Sequence, residues 1–202
     1  MAAGHGDTIL VVGAEKLSSI VDPEDRGTAI LFGDGAGAGI LQRNASGDGR
    51  GILATYLGAD GRLADLLHIP GGGAADPITI ELVQEKRHLI RMAGREVFKA
   101  AVLAMSRSTD EAIRKAGMTA DDIDLLIPHQ ANLRIIEATA KHAGIPMEKV
   151  MVNLDRYGNT SSASIPLAVS QAVAEGRLKP GMVVMLVAFG AGFTWGSVVV
   201  KW

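Results

Sequence analysis

Apolar positions along the chain fall into two rhythms. Continuous runs come first. Thr8-Ile9-Leu10-Val11-Val12-Gly13 is rich in β-branched residues and predicts a strand covered on both faces. Thr28-Ala29-Ile30-Leu31-Phe32 predicts a second strand, which leads into Gly33-Asp34-Gly35-Ala36-Gly37-Ala38-Gly39-Ile40-Leu41. Near the other end, residues 182–188 run into Phe189-Gly190-Ala191-Gly192-Phe193-Thr194-Trp195-Gly196, and a further apolar run covers 197–200. Both glycine-rich stretches read Phe-Gly-x-Gly-x-x-x-Gly between apolar runs, a repeat that points to two related halves.

The second rhythm is helical. Leu89, Met92, Ala93, Val97, Ala100 and Ala101 recur at helical spacing and predict a helix over 85–104. Residues 110–116 form a further helical stretch closed by Gly117, and Thr119 with Asp122 resembles an N-cap turn. Ile123-Asp124-Leu125-Leu126-Ile127 reads as a short buried strand. A helix over 132–143 should stop at Gly144, with Pro146 beyond it, and another should cover 164–174. Residues 44–76 hold eight glycines and Pro70, so that stretch is expected to be loop-rich. Strands alternating with helices imply an α/β fold with a mainly parallel sheet.

Composition narrows the chemistry. At 202 residues and 48% hydrophobic content the chain can bury a core, and a net charge of −2 offers no global attraction for nucleic acid or membrane. No apolar run approaches the length of a membrane span, and residues 9–12 are too short an apolar stretch for a secretory leader, so a cytoplasmic protein is expected. The chain has no cysteine, which excludes disulfides, zinc-finger sites and any thiol nucleophile within it. Its five histidines show no metal-binding spacing. Residues 33–39 are not a dinucleotide fingerprint either, because an apolar strand follows where a helix is required. Neither a metal nor a nicotinamide cofactor is implied.

Two loops carry the candidate chemistry. Ile127-Pro128-His129-Gln130-Ala131-Asn132 follows an apolar run, and Arg156-Tyr157-Gly158-Asn159-Thr160-Ser161-Ser162 comes thirty positions later (159 − 129). A lone histidine is more often structural, and an Asn in such a turn is most often a turn former or cap. Ligands in α/β sheets gather at the carboxyl ends of strands, however, and both residues are expected at strand-to-helix turns. A neutral imidazole and a carboxamide NH2 suit the task of polarising a carbonyl without protonating it.

These stretches resemble a known family. Pro128-His129-Gln130-Ala131-Asn132-Leu133-Arg134 and Tyr157-Gly158-Asn159-Thr160-Ser161-Ser162-Ala163-Ser164-Ile165-Pro166 look like the His and Asn motifs of β-ketoacyl-acyl-carrier-protein synthase III. Asp25-Arg26-Gly27-Thr28, Gly33-Asp34-Gly35-Ala36-Gly37 and the stretch 189–196 resemble it in the same order. The resemblance implies a thiolase-like fold of two duplicated α/β halves. Residues 1–43 would then be the remnant of an incomplete first half, 44–84 a loop-rich connection, and 85–202 the second half.

The resemblance also implies a reaction. An acyl-CoA primer is joined to malonyl-acyl carrier protein with loss of CO2, which initiates fatty acid biosynthesis, and no cofactor beyond those thioester substrates is needed. His129 and Asn159 would be the catalytic donors. Arg26, Gly94, Phe98, Asn132 and Phe189 match positions of the CoA or phosphopantetheine channel. Phe98 and Phe189 also fit a core role, and Gly94 one in helix packing. Lys99, Arg134 and Lys141 match the basic patch that meets the acidic carrier protein, although a solvated helix surface gives the same pattern. The family's nucleophilic cysteine lies upstream of the segment matched by residues 8–13, so the donors are expected here without the acyl acceptor. Family members are usually homodimers. Other expectations on the same scaffold are an acyltransferase of secondary metabolism and a non-catalytic carrier-binding subunit that needs a cysteine-bearing partner.

Overall fold

A computed structural model describes residues 6–202; the first five residues, with the start of the stretch read for a leader, lie outside it. The elements run β1 (Thr8–Lys16), α1 (Arg26–Ala29), β2 (Asp34–Gln42), β3 (Gly51–Ala59), β4 (Leu67–His68), α2 (Ile80–Gln84) and β5 (Arg91–Met92). After these come α3 (Gly94–Ala116), β6 (Leu125–Pro128), α4 (Leu133–Ala143), α5 (Leu154–Tyr157), α6 (Ser164–Ala174), β7 (Val183–Gly190) and β8 (Thr194–Lys201). No helix among the described residues is long and apolar enough to cross a membrane.

The main sheet has the order β3-β8-β7-β6. Only β6 and β7 are parallel; β7 with β8 and β3 with β8 are antiparallel. The sheet is therefore mixed, not mainly parallel, because the short connection 191–193 between β7 and β8 can only turn the chain back on itself. Alternation sorts its side chains. Leu126, Met185, Val187 and Val199 face a core shared with Val97, Ala101, Met105 and Ala112 of α3 and Ile136 of α4. Leu125, Ile127 and Val184 face the other way, onto Ala168 and Ala172 of α6. Helices on both faces explain why these strands are apolar at nearly every position.

Helix α3 departs from its expected limits at both ends. Residues 85–92 are not helical: Lys86 has φ +57°, and Arg91 and Met92 pair with β4. The helix then runs unbroken to Ala116 through Ser106, Ser108 and Thr109, where the polar pattern had implied a break. All three residues are buried, and the hydroxyls of Ser108 and Thr109 are partnered. Thr109 donates to the Met105 carbonyl at 2.8 Å, Ser108 donates to Ser197 Oγ at 2.8 Å, and Ser197 donates to the Ser108 carbonyl at 2.6 Å. Gly117 and Gly144 close α3 and α4 in the left-handed region, at φ +67° and +70°.

The glycine-rich stretch 44–76 contains a nine-residue strand, β3, which adds to the edge of the main sheet beside β8. Residues 28–32 are likewise no strand. Asp25 caps the short α1 there, accepting from Gly27 N at 2.9 Å and from Thr28 Oγ1 at 2.7 Å. The strand starts at Asp34 and pairs antiparallel with β1 along nine positions.

This β1–β2 ribbon is covered on one face only, and there only at the end that holds Gly13, Gly35 and Gly37. Gly13, Gly35 and Gly37 face the turn 161–163 and α6, and a Cβ on Gly13 would lie 2.3 Å from the Ser162 carbonyl oxygen. Bare backbone is what allows the ribbon to lie so close. On its other face Leu10, Val12 and Ile40 are 64%, 59% and 66% exposed, so β1 is not the doubly covered strand its apolar run implied.

Candidate functional site

The parallel β6–β7 pair ends at Pro128 and hands the chain to His129, whose backbone NH donates to the Val187 carbonyl at 2.7 Å. The following Gln130 is fully buried. Its Nε2 donates to the carbonyls of Pro128, at 2.8 Å, and Met151, at 3.1 Å, while Oε1 accepts from Asn153 NH at 2.9 Å. One side chain thus ties the His loop to the segment that leads towards Asn159. Asn153 Nδ2 donates in turn to Gln171 Oε1 on α6 at 3.1 Å. From the start of α6, Ser164 Oγ lies 2.6 Å from His129 Nδ1. The circuit thus holds the His129 backbone at one end and its imidazole at the other.

Burial sets the charge of that ring. His129 is 8% exposed, and desolvation pushes its pKa down from 6.5 to about 4, so the imidazole is neutral at neutral pH. Asn159 is held through its backbone. Its NH donates to the Leu31 carbonyl at 2.9 Å, and its carbonyl accepts from Gly33 NH at 2.9 Å. Its Oδ1 accepts from Ser161 NH at 3.0 Å, which fixes the amide's orientation and leaves Nδ2 without a partner among the described residues. Glu15 on β1 anchors this loop, accepting from Ser162 Oγ at 2.6 Å; that hydrogen bond holds its carboxyl below the ordinary carboxylate range.

His129 and Asn159 line one cavity of about 1150 Å³. Apolar groups dominate its walls, among them Leu31, Leu57, Ile90, Met92, Phe98 and Phe189. Its charged lining residues are all basic, Arg95, Lys99 and Arg134, and no carboxylate among the described residues joins them. Such a mouth favours an anionic ligand with a long uncharged arm.

The sequence-derived residues divide clearly. Gly94, Phe98, Lys99, Asn132, Arg134 and Phe189 line the cavity. Asn132 also caps α4, its Oδ1 accepting from Arg134 NH at 2.9 Å. The Arg134 guanidinium sits 5.2 Å from the Phe98 ring centroid, and Phe189 meets Phe193 edge-on with centroids 4.7 Å apart. Arg26 is exposed on α1, beside lining residue Gly27 but outside the wall itself. Lys141 is exposed on α4, seven residues from Arg134 and outside the cavity. Ser164, Gln130, Glu15, Arg95 and His68 were not singled out from the sequence. Gln130 and Ser164 lie inside the quoted motifs, but their roles, like those of Glu15, Arg95 and His68, become visible only through contacts distant in sequence.

Comparisons with known proteins converge on one family. Residues 113–202 match the model for the 3-oxoacyl-[acyl-carrier-protein] synthase III C-terminal region, and residues 1–61 match the 3-oxoacyl-[acyl-carrier-protein] synthase III model. A β-ketoacyl-[acyl-carrier-protein] synthase III of Desulfitobacterium hafniense strain Y51 is 52% identical over 202 residues, covering 100% of this chain and 60% of the relative. The crystal structure of the 3-oxoacyl-[acyl-carrier-protein] synthase III of Aquifex aeolicus VF5 superposes with a TM-score of 0.89 at 46% identity, covering 100% of this chain and 60% of that one. The Thermus thermophilus synthase III gives 0.88 at 48% identity, with 100% and 61% covered. The chain thus spans about 60% of the length of these relatives.

Proposed function

The chain belongs to the 3-oxoacyl-[acyl-carrier-protein] synthase III family of acyltransferases, and on that premise we propose that it carries the decarboxylation half of the family's condensation. The reaction joins an acyl-CoA primer to malonyl-acyl carrier protein, giving 3-oxoacyl-acyl carrier protein, CO2 and CoA at the start of fatty acid biosynthesis. As the malonyl carboxylate leaves, negative charge gathers on the thioester oxygen. Two neutral donors aimed at that oxygen stabilise the enolate without quenching its carbon nucleophile. His129 and Asn159 are assigned that role. The observation that carries the reading is that one apolar cavity holds both, the imidazole kept neutral by burial and the carboxamide oriented by its own Ser161 contact.

The substrate arm follows the cavity. Gly94, Phe98, Asn132 and Phe189 are proposed to flank the phosphopantetheine or CoA arm, with Arg26 outside the mouth. Lys99, Arg134 and Lys141 are proposed to meet the acidic carrier protein. Acylation of a thiol needs a cysteine from outside these 202 residues, because the chain has none. A second reading, carried by the basic lining residues Arg95, Lys99 and Arg134, is a carrier-binding subunit completed by a cysteine-bearing partner.

The test is CO2 release from malonyl-acyl carrier protein by this chain, His129→Ala and Asn159→Ala. Loss of one donor from such a site costs about 2.7–4 kcal/mol, so release should fall by about 10²–10³-fold in either variant. Release that ignores both substitutions would end the decarboxylation reading. No release by the parent chain, together with retained carrier-protein binding, would favour the subunit.

A further inference from the structure

We propose that Ser164 is a positioning residue that locks His129 in the tautomer with the proton on Nε2, so that the ring presents an N–H donor to the cavity. The geometry is a buried pair. Ser164 is 2% exposed, His129 is 8% exposed, and Oγ lies 2.6 Å from Nδ1. A hydroxyl and a neutral imidazole nitrogen can share a proton in either direction, and which one donates decides what the rest of the ring can do.

The surroundings choose. Ser164 sits at the first residue of α6, directly after the turn 161–163, and its hydroxyl has no hydrogen-bond partner other than Nδ1 among the described residues. If Nδ1 carried the proton, Oγ would accept and its own hydrogen would be buried without an acceptor. Such an unsatisfied donor costs about 1–3 kcal/mol, enough to leave that arrangement a minor population. With Oγ donating to Nδ1, every proton is placed and Nε2 must carry the ring hydrogen. Nε2 has no partner within the described chain, and the residue lines the cavity, so that hydrogen is available to a ligand oxygen. The question of tautomer arises because burial keeps the ring neutral; a cationic imidazole would donate from both nitrogens.

The serine cannot be replaced in this task by the ring's other contacts. The His129 backbone is held by Val187, and Gln130 fixes the loop, yet neither touches the imidazole nitrogens. Those contacts set where the ring is, and Ser164 sets which nitrogen is protonated. Only the kinetic consequence rests on the donor role proposed above for His129; the tautomer claim stands on the contact alone.

The experiment is NMR of isotope-labelled histidine in this chain, with the His129 signal assigned by its loss in His129→Ala. The parent should show Nε2 protonated and Nδ1 unprotonated at neutral pH, Ser164→Ala should show exchange between tautomers, and Ser164→Thr should restore the parent pattern. In parallel, kcat for CO2 release should fall about tenfold in Ser164→Ala with KM unchanged, and recover in Ser164→Thr. A parent ring protonated at Nδ1 overturns the proposal even if the alanine variant fails to fold. A Ser164→Ala ring that stays wholly Nε2-protonated overturns it as well. The expected tautomers without any CO2 release would leave the lock standing and remove the decarboxylation reading instead.

Discussion

β1 and β7 are both rich in apolar, β-branched residues and each pairs antiparallel with a neighbouring strand, yet they live in different surroundings. Val184, Met185 and Val187 of β7 are at most 1% exposed, whereas Leu10, Val11 and Val12 of β1 are 52–64% exposed. Strand-forming chemistry and cover are separate properties. The first follows from β-branched side chains and backbone pairing, the second from what packs above and below. The difference reaches the site, because His129 hangs on the covered sheet while Asn159 is tied to the ribbon side through Leu31, Gly33 and the Glu15–Ser162 contact.

Equal truncations in the two regions should therefore differ most. Leu126→Ala empties a fully buried position between β6 and α3, and should cost about 2–5 kcal/mol, seen as a lower urea midpoint. An unchanged midpoint would show that the sheet is no better packed than the ribbon.

Acid comes next. The folded pKa of His129 is depressed, so the unfolded chain binds its proton first as pH falls below 6.5, while the folded ring stays neutral to about 4. Stability should fall with pH across that window by an amount on the order of 3 kcal/mol, and level off below it. His129→Phe should flatten that stretch of the stability–pH curve. If the slope survives the substitution, it belongs to another group.

Glu15→Gln should be milder. It weakens the charge-assisted contact to Ser162 by about 1 kcal/mol and should raise amide exchange in the Asn159 loop, leaving the His129 loop untouched. Equal loosening of both loops would erase the distinction between their anchors. Smallest of all, Val12→Ala should change the unfolding free energy from urea titration by no more than about 0.5 kcal/mol, because that side chain is 59% exposed. Val12→Lys should reduce self-association in light scattering at equal stability, since charge on an apolar strand face opposes sticking.

How far the sequence reaches can be judged residue by residue. β6, β7, α4 and α6 were legible because their apolar pattern reflects burial that nearby elements supply. Gly144 was legible because a left-handed cap asks for glycine. α3 was cut in two by its serines, whose partners, among them Ser197 on β8, periodicity cannot report. β3 was hidden by glycines, which depress strand propensity even where a sheet edge accepts them. In the site, His129 and Asn159 stood out through their motifs and their places after apolar runs. Ser164 did not, although it lies within a quoted motif, because a serine at a helix start already has an ordinary explanation in capping.

The hydrogen-bonded circuit through Gln130, Asn153, Gln171 and α6 to Ser164 has a consequence for timing. In a looser loop an imidazole would swivel until a ligand arrived, and each encounter would have to freeze it. Here the freezing happens once, when the chain folds. A thioester entering the cavity meets a dipole already at rest, and the rotational entropy of that ring is no part of its binding.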